Sequence, residues 1–96
     1  MKPRKLKVTH ADSFKKSLKK VRSHLNHAED YVKSAEWILS RNPKCGSQIS
    51  PLVLVWALPL RPMPGDQPVT VFYAFRTRHV VLIWIGISGA GANGDN

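Results

Sequence analysis

Apolar residues at the start of the chain first alternate and then recur every three or four positions, which predicts a strand followed by a helix. Residues 6–10, LKVTH, place Leu6 and Val8 on one face of a short strand. The helix that follows has Asp12 or Ser13 as its expected N-cap, because either side chain can accept a backbone N–H bond. Its apolar stripe, at spacings of four, three and four, consists of Phe14, Leu18, Val21 and Leu25.

A second helix is predicted from His27 to Ser40, with Asn26 as its N-cap. Asn42 and Pro43 end it, because the residue before a proline resists the helical conformation. Its inner face is expected to consist of Tyr31, Ala35, Ile38 and Leu39, with Val32 beside them. The two helices should therefore form a helical hairpin.

The second half of the chain has the pattern of strands. Residues 52–60, LVLVWALPL, form the first, and a proline-rich loop, RPMPGDQP, follows. Residues 69–75 and 80–87 are rich in β-branched and aromatic side chains and form a hairpin. Arg76 and Arg78 divide this apolar run, which excludes a membrane span, because a central arginine costs about 3 kcal/mol there. The stretch VVLIWI is apolar on both faces, so it is expected inside a covered sheet.

This order of elements, β-α-α-β-β-β, predicts an α+β fold, with a two-helix hairpin packed on one face of a small, mostly antiparallel sheet. Residues 1–88 are expected to form a single domain, since a chain of 96 residues supports one modest core. Residues 89–96 are small and polar, and a flexible tail is expected there.

Basic residues are concentrated in the first half of the chain. The formal net charge is +9, from 15 Lys+Arg against 6 Asp+Glu, and twelve of the basic residues precede Gly46. Such an excess predicts acidic partners, either nucleic acid or an acidic protein. Repulsion between neighbouring lysines favours a binding function for the first helix, and a solvated helix face is the alternative. The basic face of the first helix consists of Lys15, Lys16, Lys19, Lys20 and Arg22.

The turn between the last two predicted strands is the main candidate for chemistry. Arg76, Arg78 and His79 form a basic hairpin tip, and Arg61 in the preceding loop is expected to join them. Arginine side chains can hold a phosphate by two parallel hydrogen bonds, and a histidine can exchange protons near neutral pH. The alternative is a solvated turn whose arginines keep the protein soluble.

Other kinds of site lack support in the sequence. Cys45 is the only cysteine, so it can form no internal disulfide, and it is expected to be a small buried hydrophobe. His24 and His27 lie three apart but have no obvious further ligand, and no metal or small-molecule cofactor is expected. No secretory signal opens the chain, so a cytoplasmic protein is expected. Core packing is the expected role of the tryptophans, which are Trp37, Trp56 and Trp84.

Over residues 7–87 the chain resembles the RelE/ParE superfamily of toxins from toxin–antitoxin systems. The resemblance rests on VTHADSFKKSLKKV for the first strand and helix, and on ILSRNPKCGSQI where the second helix ends. VTVFYAF followed by HVVLIWI is similar to the last two strands of the family. Family members of the RelE branch are ribosome-dependent endoribonucleases that cut mRNA, and members of the ParE branch poison DNA gyrase. Both are held inactive by an antitoxin, so the resemblance implies an acidic antitoxin as partner.

Two functions follow from this resemblance and from the residues. The first is an mRNA interferase that acts on the ribosome, with catalysis by His79, Arg76, Arg78 and Arg61. The second is a non-enzymatic binder on the same fold, directed at gyrase or at the antitoxin alone. The strand where the nucleases carry lysines reads VLVWAL here, and Thr70 replaces a usual arginine, which keeps the second function open. Tyr73 matches a family tyrosine and is expected to pack in the sheet.

Overall fold

A computed structural model describes residues 5–88, which form one sheet with two helices packed against it. The predicted tail, residues 89–96, lies outside the described residues. The helices are α1 (Asp12–Val21) and α2 (Ala28–Arg41). The strands are β1 (Lys7–His10), β2 (Ser47–Gln48), β3 (Trp56–Leu60), β4 (Val69–Arg76) and β5 (His79–Ile87).

The strands follow the order β1-β5-β4-β3-β2, so the first and last strands of the chain are neighbours. β1 runs parallel to β5, and the other pairs are antiparallel. α1 lies along β5, and α2 crosses from β1 to β3. The predicted α+β architecture is confirmed, and β5 lies inside the sheet as expected.

The strand predicted at residues 52–60 begins only at Trp56. Leu52 is 92% exposed, because a local turn takes up the backbone bonds that a ladder would need. In that turn the Ser50 hydroxyl accepts the Leu52 N–H at 3.1 Å, and the Ser50 carbonyl accepts the Val53 N–H at 3.3 Å. β2, which comes before this turn, was not predicted.

The core lies between the helices and one face of the sheet. In β4 the buried residues alternate strictly, as expected for a strand with one covered face. The apolar stripe predicted for the first helix is confirmed, since its four members are at most 8% exposed. Ile38 of the second helix is only partly buried. The fully covered side chains include Phe14, Tyr31, Ala35, Leu39, Val69, Val71, Tyr73, Val80, Leu82 and Ile85.

A β-bulge changes which side chains of β5 enter the core. Tyr73 pairs with Leu82 but Phe72 pairs with Trp84, so Ile83 is the additional residue. The bulge turns Trp84 to the open face, where it is 42% exposed, and turns Ile85 into the core. The prediction that VVLIWI is covered on both faces is therefore wrong at Trp84.

α1 takes over as the hydrogen-bonding neighbour of β5 where β1 ends. The Ala11 N–H donates to the Leu82 carbonyl at 2.9 Å. The Ser13 hydroxyl then donates to the Ile83 carbonyl at 2.5 Å, and the Ser17 hydroxyl accepts the Ile85 N–H at 3.0 Å. The expected side-chain cap of α1 by Asp12 or Ser13 is therefore wrong. The Ser13 hydroxyl instead binds the carbonyl of the bulged Ile83.

The start of α2 is capped by a residue distant in sequence. The Asp66 carboxylate, in the β3–β4 loop, accepts the backbone N–H groups of Asn26 at 2.7 Å and His27 at 3.1 Å. It also accepts the Tyr31 hydroxyl at 3.0 Å. The expected cap by the Asn26 side chain is therefore wrong, since a charged acceptor at the positive end of the helix replaces it.

The expected burial of the tryptophans and the cysteine holds only in part. Trp56 is partly buried and meets Phe75 edge-on, with ring centroids 5.2 Å apart. Trp37 is 60% exposed, and its ring is covered on one side by the Arg41 guanidinium at 4.1 Å. Cys45 is exposed, because it lies in the irregular connection after α2. Neither helix within residues 5–88 has the length and apolar character needed to cross a bilayer.

Candidate functional site

The face of the sheet that the helices leave uncovered carries few charged side chains at its centre. Register places alternate residues of β3, β4 and β5 on this open face. They are mostly small or apolar: Ala57, Pro59, Thr70, Phe72, Ala74, Val81, Trp84 and Gly86. The charges of this face are at one end, where β4 turns into β5.

Three strands contribute basic groups to that end. Arg76 and His79 are direct cross-strand partners in the β4–β5 hairpin. β1 brings Lys7 beside His79, and the Lys7 N–H donates to the Arg78 carbonyl at 3.2 Å. Sequence reasoning had identified Arg76, Arg78 and His79 but not Lys7. No local signal could have found Lys7, because parallel pairing of the first and last strands brings it there.

Of the described residues at this end, His79 is the one with a side chain suited to proton transfer. Its Nε2 lies 2.7 Å from the Thr9 hydroxyl on β1, which fixes the orientation of the ring. The second nitrogen, Nδ1, makes no hydrogen bond within residues 5–88. A half-buried imidazole with one nitrogen held and one available has the arrangement of a general acid or base.

A cleft of about 410 Å³ opens beside His79. Leu54, which is 77% exposed, forms one wall from the β2–β3 connection. The remaining lining combines an apolar floor with basic groups at the rim, and consists of Ala74, Phe75, Arg76, His79 and Val81. A partly apolar cleft strengthens the attraction between rim cations and an anion, because the local dielectric constant is lower than in water.

Within residues 5–88, no carboxylate forms an ion pair at this end of the sheet. The ion pairs in the described part of the chain involve Glu36 with His10, Glu29 with Arg22, and Asp30 with His27. None of these pairs includes a residue of the cleft. The cleft therefore presents a positive surface to an anionic ligand.

The structure separates Arg61 from the other candidates. Leu60 pairs with Val69 at one end of the β3–β4 ladder, and Arg76 lies at the other end of β4. Seven residue steps at about 3.3 Å each correspond to roughly 23 Å. Arg61 instead lines a different cavity beside α2, so it cannot hold the same phosphate as Arg76 and His79.

The basic face of α1 borders a second cavity, farther along β5 from His79. Lys15, Lys16, Lys19 and Lys20 are exposed along the helix. The Arg22 Nε donates to the Glu29 carboxylate at 2.7 Å, so its charge is partly neutralised. A cavity of about 580 Å³ lies along this helix, lined by Ser13, Lys16, Lys19, Lys20 and Trp84. The predicted basic residues therefore form two separate surfaces, the hairpin cleft and the α1 face.

Comparison with known proteins identifies the architecture. No protein-family model and no curated protein matches the chain. The RelBE2 toxin–antitoxin complex from Mycobacterium tuberculosis matches with a TM-score of 0.65, at 18% identity, over 90% of this chain and 94% of that chain. The free Escherichia coli toxin RelE, as a double arginine-to-alanine mutant, matches with a TM-score of 0.63, at 12% identity, over 94% of this chain and 92% of that chain. The chain has the RelE toxin fold. At these identities the likeness concerns the backbone, and it assigns no role to any side chain.

Tyr73 has a structural position in this RelE fold. It is fully buried, as expected, and its hydroxyl donates to the Pro43 carbonyl at 2.7 Å and accepts the Gly46 N–H at 3.2 Å. Burial raises the pKa of Tyr73 to about 12, against a smaller lowering by the Gly46 N–H. A buried neutral phenol with both hydrogen-bonding functions occupied ties the α2–β2 connection to the sheet.

The histidines of the α1–α2 connection, His24 and His27, do not line the hairpin cleft. The His27 Nδ1 lies 3.5 Å from the Asp30 carboxylate, and His24 is exposed. Among the described residues, no three histidine, cysteine, aspartate or glutamate side chains form a group able to hold a metal ion. The hairpin cleft is accordingly the candidate site with the most developed chemistry.

Proposed function

We propose that the chain is the toxin of a toxin–antitoxin module and cleaves mRNA on the ribosome, as a RelE-like mRNA interferase. The observation that carries this proposal is the pairing of His79 with Arg76 in a basic cleft on the open face of a RelE fold. A proton-transfer group beside a guanidinium suits cleavage of a phosphodiester.

The reaction uses the ribose 2′-hydroxyl of the RNA as the nucleophile. Its oxygen forms a bond to the adjacent phosphorus, and the bond from phosphorus to the 5′-oxygen breaks. His79 takes the proton of the 2′-hydroxyl or donates a proton to the leaving 5′-oxygen, and solvent water takes or supplies the other proton. Arg76 and Arg78 stabilise the additional negative charge on the pentacoordinate phosphate.

Two partners follow from the same proposal. The exposed lysines of α1 bind RNA at the ribosome, since affinity for a phosphate backbone is largely electrostatic. An acidic antitoxin holds the toxin inactive by covering its basic surface. The RelBE2 structure, which is a toxin–antitoxin complex, supports this second partner.

A non-enzymatic binder on the same fold is the second candidate. The centre of the open face favours it, because Ala57, Ala74 and Val81 offer no group that could act on a phosphate there. On this alternative the chain binds its antitoxin or DNA gyrase, and the hairpin cations only increase affinity.

We test the proposal with the wild type and the variant His79→Ala. The measurements are growth inhibition and primer-extension mapping of mRNA. We expect the wild type to stop growth and to cut mRNA, and His79→Ala to lose at least a hundredfold in cleavage while still sedimenting with ribosomes. His24→Ala is the matched control, because His24 is an exposed histidine distant in sequence from the cleft. Undiminished cleavage by His79→Ala would contradict the assigned chemistry, and a wild type that cuts nothing would favour the binder.

A further inference from the structure

Trp84 forms an exposed aromatic surface beside the lysines of α1. The indole is 42% exposed and lies over Gly86, where an added Cβ would stand 3.4 Å from the indole nitrogen. Three lysines and one serine complete the lining of the cavity of about 580 Å³ in front of the ring. The cavity therefore combines one aromatic surface with a positively charged rim.

The composition of this lining selects among anionic partners. Among residues 5–88, Trp84 is the one apolar residue that lines it, and the other lining residues are Ser13, Lys16, Lys19 and Lys20. An amphipathic acidic helix inserts several apolar side chains at helical spacing, for which these described residues offer one large apolar side chain and several lysines. A nucleobase needs one flat aromatic surface, and its phosphates need nearby cations.

The position of Trp84 on β5 relates this cavity to the hairpin cleft. Arg76, Ala74 and Phe72 pair in turn with His79, Val81 and Trp84, so His79 and Trp84 share the open face of one strand. Five residue steps, shortened by the bulge, correspond to about 15 Å. An extended single strand of RNA that reaches His79 can therefore continue along the open face of β5 to the Trp84 indole.

We infer that Trp84, Lys16 and Lys20 form a subsite for single-stranded RNA, in which a base stacks on the indole and the flanking phosphates bind the lysines. This inference rests on the proposed RNA-directed function and adds to it a substrate-positioning site outside the hairpin cleft. Stacking accepts any base, so the subsite contributes affinity and register with little sequence preference.

The test is binding of a fluorescein-labelled, fully 2′-O-methylated RNA of about ten nucleotides, a length typical of single-strand sites. This probe lacks the nucleophile and cannot be cut, so binding is measured separately from cleavage. We expect RNA to quench tryptophan emission in the wild type. Trp84→Leu should lose this quenching and bind about tenfold more weakly, whereas Trp84→Phe, which retains a ring, should bind within about threefold of the wild type.

Lysine variants test the charged rim. The double variant Lys16→Ala/Lys20→Ala should lower the slope of log affinity against log salt by about 1.4, since each neutralised phosphate on a single strand contributes about 0.7. Lys33→Ala/Lys44→Ala removes the same charge elsewhere and should leave the slope within about 0.3 of the wild type. Trp37→Leu is the aromatic control, since Trp37 is more exposed than Trp84 but lies on α2.

Each outcome separates this subsite from the proposed function. Trp84-dependent binding without cleavage of natural mRNA by the wild type would support the subsite and contradict the nuclease. Cleavage by the wild type with no effect of Trp84→Leu on RNA binding would overturn the subsite and leave the nuclease. Equal weakening by both pairs of lysine variants, or displacement of the RNA by an acidic peptide whose binding needs Trp84, would also overturn it.

Discussion

The Ser17 hydroxyl accepts a hydrogen bond from the backbone N–H of Ile85 at 3.0 Å, two residues beyond the bulged Ile83. Ser17 is 1% exposed and also donates to the Phe14 carbonyl at 2.9 Å. A buried hydroxyl within α1 thus satisfies an amide on the side of β5 opposite β4, where no strand pairs with Ile85 because β1 ends at His10. This contact lets a four-residue edge strand suffice for a nine-residue inner strand.

Ser17→Ala should therefore destabilise the fold although it improves helix propensity. The Ile85 amide would remain buried without an acceptor, which costs about 1–3 kcal/mol in the free energy of unfolding. Urea denaturation followed by circular dichroism measures this difference. Ser23→Ala removes an exposed hydroxyl that makes the same kind of bond, to the Lys20 carbonyl, and should change stability by less than about 0.5 kcal/mol. Equal effects of the two substitutions would contradict the assigned role of Ser17.

Local periodicity predicted the elements of this fold better than their ends and irregularities. The stripe from Phe14 to Leu25 identified the first helix, because its burial depends on residues near in sequence. The bulged Ile83 is bound by Ser13, 70 positions away, and the Asp66 carboxylate caps α2 from 40 positions beyond Asn26. Such contacts leave no periodic signal, so neither could be derived from the pattern.

Asp66 should make stability depend on pH in the acid range. Desolvation raises the pKa of Asp66, but hydrogen bonds from Asn26, Tyr31 and His27 outweigh it and hold the pKa below the ordinary 3.8. A lowered pKa stabilises the fold fully above pH 3.8, and the stabilisation is lost as pH falls through the lower folded value. Asp66→Asn should lower Tm at neutral pH, and the gap to the wild type should close as pH falls below 3.8, through the lowered pKa of Asp66. Asp12→Asn, at an exposed position, is the control; a gap that stays constant as the acid unfolding limit is approached would contradict this linkage.

Tyr73→Phe should affect stability and leave catalysis intact. The lost hydroxyl leaves the Gly46 N–H and the Pro43 carbonyl without their partner, which costs about 1–3 kcal/mol. Burial raises the pKa of Tyr73 to about 12, so between pH ~10 and that value the unfolded chain loses a proton that the folded chain keeps. Wild-type stability should fall across this range, and the fall should be smaller in Tyr73→Phe. Loss of mRNA cleavage by a folded Tyr73→Phe protein would instead give the hydroxyl a chemical role.

Thr9 should act as a positioning residue for His79. Thr9→Val keeps the shape of the side chain but removes the partner of Nε2, so the ring is no longer held in one orientation. We expect kcat for ribosome-bound mRNA to fall roughly ten- to hundredfold with little change in KM, and the pH profile of kcat to move. Thr9→Ser restores a hydroxyl and should recover most of the activity. A change in KM alone would assign Thr9 to binding.

The candidate site shows where sequence reasoning about function succeeds and fails. Arg76, Arg78 and His79 were identified because a charged turn within an apolar run is visible in the pattern. Arg61 was grouped with them because its loop and the β4–β5 turn both carry arginines. The antiparallel β3–β4 register instead places Arg61 near Val69, at the end of β4 opposite Arg76. Lys7 and Thr9 were missed, since only the parallel β1–β5 pairing brings them to His79.

The pairing of the first strand with the last determines when the cleft can assemble during synthesis. Thr9 and His79 are 70 residues apart in sequence, and β5 supplies the inner strand against which α1 packs. A nascent chain that has not reached residue 79 exposes the apolar stripe of α1 and lacks His79. Folding therefore waits for the final strand, and closing so long a loop slows it. The ribosome that makes the protein must therefore translate residue 79 before the proposed ribosome-directed site can exist.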